Sequence, residues 1–302
     1  MLAETKAQAK ILLKGLPSPR PYSEPKEILM VKPDFFQVKY AINPFMKDEK
    51  GNLKKVDTAK ARDQWQRIKW IYEDIGLTVH TLPGQVNLPD MVFAANQSLP
   101  FYDRETHQKN VLMARMMSEH REPEIPLFQT WFESHGYRSF TLEDTTLHFE
   151  GNGDAILHPK LPLLWGGYGQ RTDRKTYEEI ARRFGLQVIL LKIQREEFYH
   201  LDTCFSILSP KTVALVPSAF SKESLGIIHQ VFGQVISIDE KEALENFAGN
   251  CFCPNKRDVI LQKGSPHFLK LLEKAAFQPH EVDTSEFLKS GGSVYCLKMQ
   301  LL

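Results

Sequence analysis

Ser221-Lys222-Glu223-Ser224-Leu225-Gly226-Ile227-Ile228-His229-Gln230-Val231-Phe232-Gly233-Gln234-Val235-Ile236-Ser237-Ile238 reads as one complete structural unit. Ser221 is placed to cap a helix, Leu225, Ile228, Val231 and Phe232 recur on one face, Gly233 stops the helix, and Val235 to Ile238 supplies a strand. The scheme occurs four more times. Asp57 caps a helix through Ala61, Trp65, Ile68 and Ile71 that stops at Gly76, before the strand Leu77 to Leu82. Glu124 to Ser134, with Leu127, Phe128, Trp131 and Phe132 apolar, stops at Gly136 before Arg138 to Thr141. Asp173 is the expected cap of a helix with Tyr177, Ile180, Ala181 and Phe184 inward and Gly185 as stop, before Gln187 to Leu191. Ser265-Pro266 opens the last, which buries Phe268, Leu271, Leu272 and Ala275 before Pro279 to Val282.

Between the helices lie further apolar strand candidates: Met91 to Ala95, Val111 to Ala114, Ala155 to Leu157, Leu163 to Trp165, Thr203 to Leu208, Thr212 to Val216 and Asp258 to Leu261. From the second helix on, the period is roughly fifty residues, and self-similarity at a fixed period signals a repeat architecture. The reading is an α/β fold: a single-domain five-bladed α/β propeller with pseudo-fivefold repeats. A doubly wound sheet is the rival, but it needs mostly parallel strands, whereas two or three short strands intervene here between successive helices. Residues 1–26 form a lead-in, with a helix over residues 3–14 and Pro17, Pro19, Pro21 and Pro25 keeping the chain extended. Residues 27–302 form one domain, expected to carry the function, and no linker divides it.

With 302 residues, 42% hydrophobic and 25% charged, the chain has the composition of an ordinary globular protein. A net charge of +1 and the lack of a basic run interleaved with aromatics argue against nucleic acid and against a membrane surface. The expected partner is a small molecule, and a homo-oligomer is compatible with the composition. Four cysteines are too few for a disulfide scaffold, and no apolar run resembles a signal peptide or a membrane span, so a cytoplasmic location is expected.

Three stretches carry chemistry. Ser290-Gly291-Gly292-Ser293-Val294-Tyr295-Cys296-Leu297-Lys298 reads as a last strand with a thiol at one end, and Cys296 is the candidate nucleophile; a buried, inert cysteine is the alternative. Phe149-Glu150-Gly151-Asn152-Gly153-Asp154 places two carboxylates across a glycine kink, with a surface turn or loose cation loop as the alternative. In His200-Leu201-Asp202 a spacing of two on a strand directs both side chains to one face, where the imidazole can shuttle protons. Asn96 follows the Met91 strand. Arg171, after Gly166-Gly167-Tyr168-Gly169-Gln170, is a candidate clamp for a carboxylate, and Arg115 a second one or a surface cation. Cys251-Phe252-Cys253 lacks a second pair at zinc-finger spacing and reads as core or rim rather than a metal site.

The ordered set Glu-Gly-x-Gly-Asp, His-x-Asp-Thr and terminal Gly-Gly-Ser-x-x-Cys resembles the guanidine-modifying pentein superfamily. That group includes arginine deiminases, dimethylarginine dimethylaminohydrolases, amidinotransferases and arginine dihydrolases. Tyr40-Ala41-Ile42-Asn43-Pro44, Pro89 to Asn96 and Gly167 to Thr172 look like signatures of the arginine dihydrolase branch. The resemblance implies that Cys296 attacks a guanidinium carbon to form a thiouronium, that His200 protonates the departing amine and then activates water, and that Glu150 supports His200. It further implies that Asp202, Asn96, Arg171, Arg115, Asn43 and Asp154 bind or brace the substrate, with no cofactor and no metal. Deiminases carry aspartate where this chain has Asn96, so a second hydrolysis, from arginine to ornithine, ammonia and CO2, is expected. Dimethylarginine hydrolysis, arginine deimination, amidino transfer and a silent arginine-binding protein are the alternatives.

Overall fold

Each of the five expected helices is the crossover of a parallel strand pair, and each pair belongs to a separate small sheet in the computed structural model, which describes residues 1–17, 24–103 and 105–302. Helix Thr58–Asp74 joins Glu27–Val31 to Thr78–Leu82, and Ile125–Ser134 joins Lys109–Met113 to Arg138–Phe140. Thr176–Phe184 joins Leu163–Tyr168 to Gln187–Lys192, Lys222–Val231 joins Thr212–Leu215 to Gln234–Ser237, and Pro266–Lys274 joins Asp258–Gln262 to Gln278–Val282. A further strand lies antiparallel to the first member of four of these pairs: Met299–Gln300, Ser98–Tyr102, Ala155–Leu157 and Phe205–Ser209. In the fifth, Phe252 bridges Ile260 in the same antiparallel sense. Short strands of this kind, alternating with helices, make a mixed α/β fold.

The helices form for the reasons visible in the sequence. Ala61, Trp65, Ile68 and Tyr72 fall three to four residues apart and are all buried, so one stripe of Thr58–Asp74 faces the core. Ser221 caps Lys222–Val231 by accepting from the Ser224 amide at 3.0 Å, worth about 1 kcal/mol. Trp165 stacks on Phe232 and lies tilted against Phe205 in the main apolar cluster beside that helix. The N-terminal residues join the body: Leu2–Ala3 pairs parallel with Gln187–Lys192, and Lys6–Lys14 buries Ala9 and Leu12. Pro19 and Pro21 lie outside the described residues.

Several expected elements are corrected. Met91 to Ala95 is not a strand: Pro89–Val92 is a 3-10 turn, and the strand of this unit is Ser98–Tyr102. Asp173 does not cap its helix, which begins at Thr176; its carboxylate accepts from the His148 amide at 2.8 Å. The Ser265 hydroxyl caps nothing, and the amides of His267 and Phe268 donate to Glu242 at 2.8 and 2.9 Å. A distant carboxylate therefore serves the dipole end that the local serine was expected to serve.

Ser290 to Lys298 is not a strand. It is a run of turns closed by Leu297 N donating to Ser293 O at 3.1 Å, and only Met299–Gln300 is extended. Gly291, at φ +83°, makes the reversal that a side chain would strain. Nor do His200 and Asp202 share a strand face. His200 is extended, and Leu201–Thr203 is a 3-10 turn in which the Thr203 hydroxyl donates to His200 O at 2.7 Å.

Candidate active site

The segment leading into each sheet carries a polar side chain toward one buried point. Asn96 precedes Ser98–Tyr102, Glu150 precedes Ala155–Leu157, His200 and Asp202 precede Phe205–Ser209, Asn250 precedes the Phe252 bridge, and Cys296 precedes Met299–Gln300. All six are buried. Glu150 Oε2 lies 2.6 Å from His200 Nε2, and Asn96 Nδ2 lies 3.4 Å from His200 Nδ1. Asn250 Nδ2 donates to Cys296 Sγ at 3.2 Å, and the Cys296 thiol faces Asp202 Oδ2 at 3.3 Å. Asn96, His200 and Cys296 line a small cavity with Ile42, Asn43, Asp90, Phe93, Arg121, Arg171, Tyr199 and Gly291.

The tautomer of His200 follows from its neighbours. Arg121 Nη1 donates to Asn96 Oδ1 at 2.9 Å, so the Asn96 amide must present N–H to His200. His200 Nδ1 is then the free base, and Nε2 carries the proton donated to Glu150. Burial pushes the Glu150 carboxyl up, but the hydrogen bond from His200, the charge of that ring when Nδ1 is also protonated, and Arg171 and Arg121 override it and hold it at about 2. Burial raises Asp202 to about 7 against the hydrogen bonds of Cys296 and Asn250 and the charge of Lys298. Burial, and then the Asp202 charge, push the Cys296 thiol well above its ordinary value. Without a ligand the thiol is therefore protonated, and a cation in the cavity is what would release the thiolate.

Asp154, expected to contact substrate, does not line the cavity. Its oxygens accept from the Leu201 amide at 3.0 Å and the Thr172 hydroxyl at 2.7 Å, so it braces the His200 turn from behind. Thr172 Oγ1 also accepts from the Glu150 amide at 3.1 Å. A Cβ at position 153 would lie 2.3 Å from Asn96 Nδ2, which is the close approach that the glycine permits. Arg171 is at the cavity, with Nη1 3.5 Å from Glu150 Oε1 and Nη2 donating to the Ile42 carbonyl. Asn43 lines it too, although its amide is engaged, donating to Ser290 O at 2.9 Å and accepting from Phe45 N at 3.0 Å. Arg115 is half-buried, its backbone bridges Phe149, and its side chain is not part of the cavity wall. Among the described residues no cluster of three or more His, Cys, Asp or Glu is disposed to hold a metal. Cys251 and Cys253 are buried free thiols that burial pushes up to about 11 and 12.

Two residues at the site escaped sequence reasoning. Arg121 reads as one more surface cation, yet it is buried and donates to both oxygens of Glu124 at 3.2 and 3.0 Å as well as to Asn96. Replacing Arg121 by leucine strands the Glu124 carboxylate and the Asn96 oxygen, and is expected to cost about 3–5 kcal/mol, measured by urea unfolding. Asn250 had a legible signal: Asn96, Glu150, His200 and Cys296 recur at roughly fifty residues, and that period skips a position near 250. Its Oδ1 accepts from the amides of Tyr295 and Cys296 at 3.1 and 3.2 Å, while Nδ2 donates to Asp202 O at 2.9 Å and to the sulfur. Asn250→Asp keeps the acceptor and loses the donor. We expect kcat to fall by about a hundredfold with KM changed little, read by steady-state kinetics.

The family model for eukaryotic N,N dimethylarginine dimethylhydrolases matches residues 32–302. The chain belongs to the dimethylarginine dimethylaminohydrolase family. Within it, the N(G),N(G)-dimethylarginine dimethylaminohydrolase of Mycobacterium tuberculosis is 34% identical, over 90% of this chain and 84% of that protein. The bifunctional arginine dihydrolase/ornithine cyclodeaminase AgrE of Nostoc sp. is 36% identical over 90% of this chain, but over only 37% of AgrE; the chain thus spans little more than a third of the length of such relatives. The crystal structure of the cyanobacterial ArgZ N-terminal domain, a cysteine-to-serine variant bound to substrate, superposes with a TM-score of 0.84 at 33% identity, covering 91% of this chain and 97% of that one. This member of the family therefore resembles both the dimethylarginine and the arginine dihydrolase branches.

Proposed function

We propose that the chain is a hydrolase that cleaves C–N bonds in the guanidino group of arginine through a Cys296 thiouronium, acting as an arginine dihydrolase: arginine and two waters give ornithine, two ammonia and CO2. The observation that carries this reading is the neutral amide of Asn96 in the cavity wall, held by Arg121 beside a buried Cys, His and Glu. A buried guanidinium requires anionic acceptors, and that role is assigned to Asp202 and Glu150, which stand behind Cys296 and His200 rather than in the cavity wall. Its charge lowers the Cys296 pKa, the thiol proton passes to His200 Nδ1, and the thiolate attacks the guanidinium carbon. As the tetrahedral adduct collapses, a C–N bond breaks and His200 hands a proton to the departing ammonia. His200 then takes a proton from water, which adds to the thiouronium carbon, and the C–S bond breaks to give the citrulline-like urea and the thiol. An amide at Asn96 grips a cation less tightly than a carboxylate would and donates to a urea oxygen, which keeps the intermediate in place for a second round. Arg171 and Asn43, which line the cavity, are the proposed contacts to the amino acid end, with Arg115 outside the wall, and Asp154 is the brace.

The dimethylarginine reading is the second one, favoured by the family model and the mycobacterial relative. Product analysis decides. Arginine incubated with the protein is expected to yield ornithine and two ammonia without an added acceptor. Citrulline as the sole product would sink the dihydrolase reading, and dimethylamine from dimethylarginine would favour the rival.

The same proposal extends to architecture and setting. We propose that the five sheets stand around one axis as a pentein propeller formed by residues 27–302, with residues 1–26 as its lead-in. Support comes from each unit contributing its leading segment to one centre. A cytoplasmic location is supported by four free thiols, and no helix among the described residues is long and apolar enough to cross a membrane.

A further inference from the structure

The mechanism asks Asn96 to show N–H donors to the cavity, yet a carboxamide turned by half a rotation offers its oxygen in the same place. Here Arg121 makes the choice. Its Nη1 donates to Asn96 Oδ1 at 2.9 Å, its Nη2 to the carbonyls of Asp90 and Phe93 at 3.2 Å each, and its Nε and Nη2 to the two oxygens of Glu124 at 3.2 and 3.0 Å. Asp90, Phe93 and Asn96 all line the cavity, so three wall residues of one segment hang on a single guanidinium. The anchor is fixed in turn: Gln97 Nε2 donates to Glu124 Oε2 at 2.6 Å, and Asn96, Gln97, Arg121 and Glu124 are all buried. A planar fork held along one edge by a carboxylate fixes where its remaining N–H bonds point.

With Oδ1 occupied, both N–H bonds of Asn96 face away from Arg121. One is directed to His200 Nδ1, 3.4 Å from Asn96 Nδ2, and the other is left for what occupies the cavity. Such a donor matches the oxygen of a urea and meets the N–H groups of a guanidinium poorly; the reversed amide would do the opposite, as a carboxylate does. We propose that Arg121 is a positioning residue that sets the number of hydrolytic rounds: by holding the Asn96 oxygen it keeps the donor end of the amide on the urea oxygen of the first product, which therefore stays for a second attack. The first round takes arginine and one water to citrulline and ammonia. The second takes citrulline and one water to ornithine, ammonia and CO2. Without the hold, the amide turns its oxygen to the cavity, citrulline loses its donor, and it leaves after one round.

This role rests on the dihydrolase reading, and the test keeps the two apart. The full chain and two variants are incubated with arginine, and citrulline and ornithine are quantified together over time. Arg121→Lys keeps a positive charge for Glu124 but lacks the fork. The double variant Arg121→Met with Glu124→Leu removes both charges at once, so no buried carboxylate is stranded and the measurement survives a lysine variant that does not fold. The citrulline-to-ornithine ratio is expected to rise at least about tenfold in either, the effect of one lost charge-assisted hydrogen bond. In an Asn96→Ala background Arg121→Lys should change the ratio no further, because the residue through which it acts is gone. A role in stability alone would lower the amount of folded protein and leave the ratio where it was. An unchanged ratio in a folded variant, or a further rise in the Asn96→Ala background, would overturn the assignment. Failure of the functional reading is a separate result: the wild-type chain then forms no ornithine from arginine.

Discussion

Cys296→Ser is expected to abolish turnover, with kcat reduced by at least about a thousandfold while arginine still binds. Serine keeps the shape and the contact with Asp202, so the fold should survive, but its hydroxyl is far less acidic and nucleophilic than a thiol. In the wild type, acid quenching during turnover followed by mass spectrometry should reveal a thiouronium on the peptide that contains Cys296. Turnover of the serine variant within tenfold of wild type, or an adduct on another residue, would contradict the assignment. Cys204, Cys251 and Cys253 are poor substitutes: burial raises all three thiols, and none lines the cavity.

His200→Ala is the second large effect, expected to lower kcat by about 10²–10⁴ and to leave the covalent adduct accumulating, because water then lacks its base. Glu150→Gln should cost less and be non-additive with it, since Glu150 acts through the ring that it holds at 2.6 Å. The pH profile separates the carboxylates. Glu150, held at about 2, stays ionised throughout the working range and contributes no acid limb. Asp202, raised to about 7, is neutral below that pH and anionic above it, so the arginine KM should fall as pH rises through neutrality. A KM independent of pH between 6 and 8 would remove Asp202 from cation binding. The same shift has a stability consequence of opposite sign. The folded carboxyl is raised above its unfolded value, so this group favours the folded state least once the pH exceeds about 7.

The residue types that can do the chemistry were legible because motifs are local. Cys296 and Glu150 are legible in glycine-bearing stretches, His200 in a His-x-Asp spacing and Asn96 in its place after an apolar run, and the structure brings all four to one cavity or directly behind it. The conformation of those stretches was misread. Cys296, His200 and Asp202 were expected on strands, yet Cys296 and Asp202 sit in turns and His200 is the extended residue leading into one, because a segment that delivers side chains to a buried centre satisfies its backbone through side chains. The Asp154 carboxylate on Leu201 N, 47 residues away in the chain, is an example that no local propensity encodes.

Sequence by itself determined the five helices, the glycine stops of three of them, the strands that follow them and the chemical type of the site, since apolar periodicity is a property of neighbouring residues. Only the tertiary structure decided which charges are buried and paired. Arg121 and Lys298 look like solvent cations in the chain but carry two of the least exposed positive charges at the site, while Arg115, the expected clamp, stands outside the cavity wall. The reason is that desolvation and partner geometry depend on segments far apart in sequence: Asn250 reaches Cys296, Glu150 reaches His200 and Arg121 reaches Asn96 only after five sheets have formed.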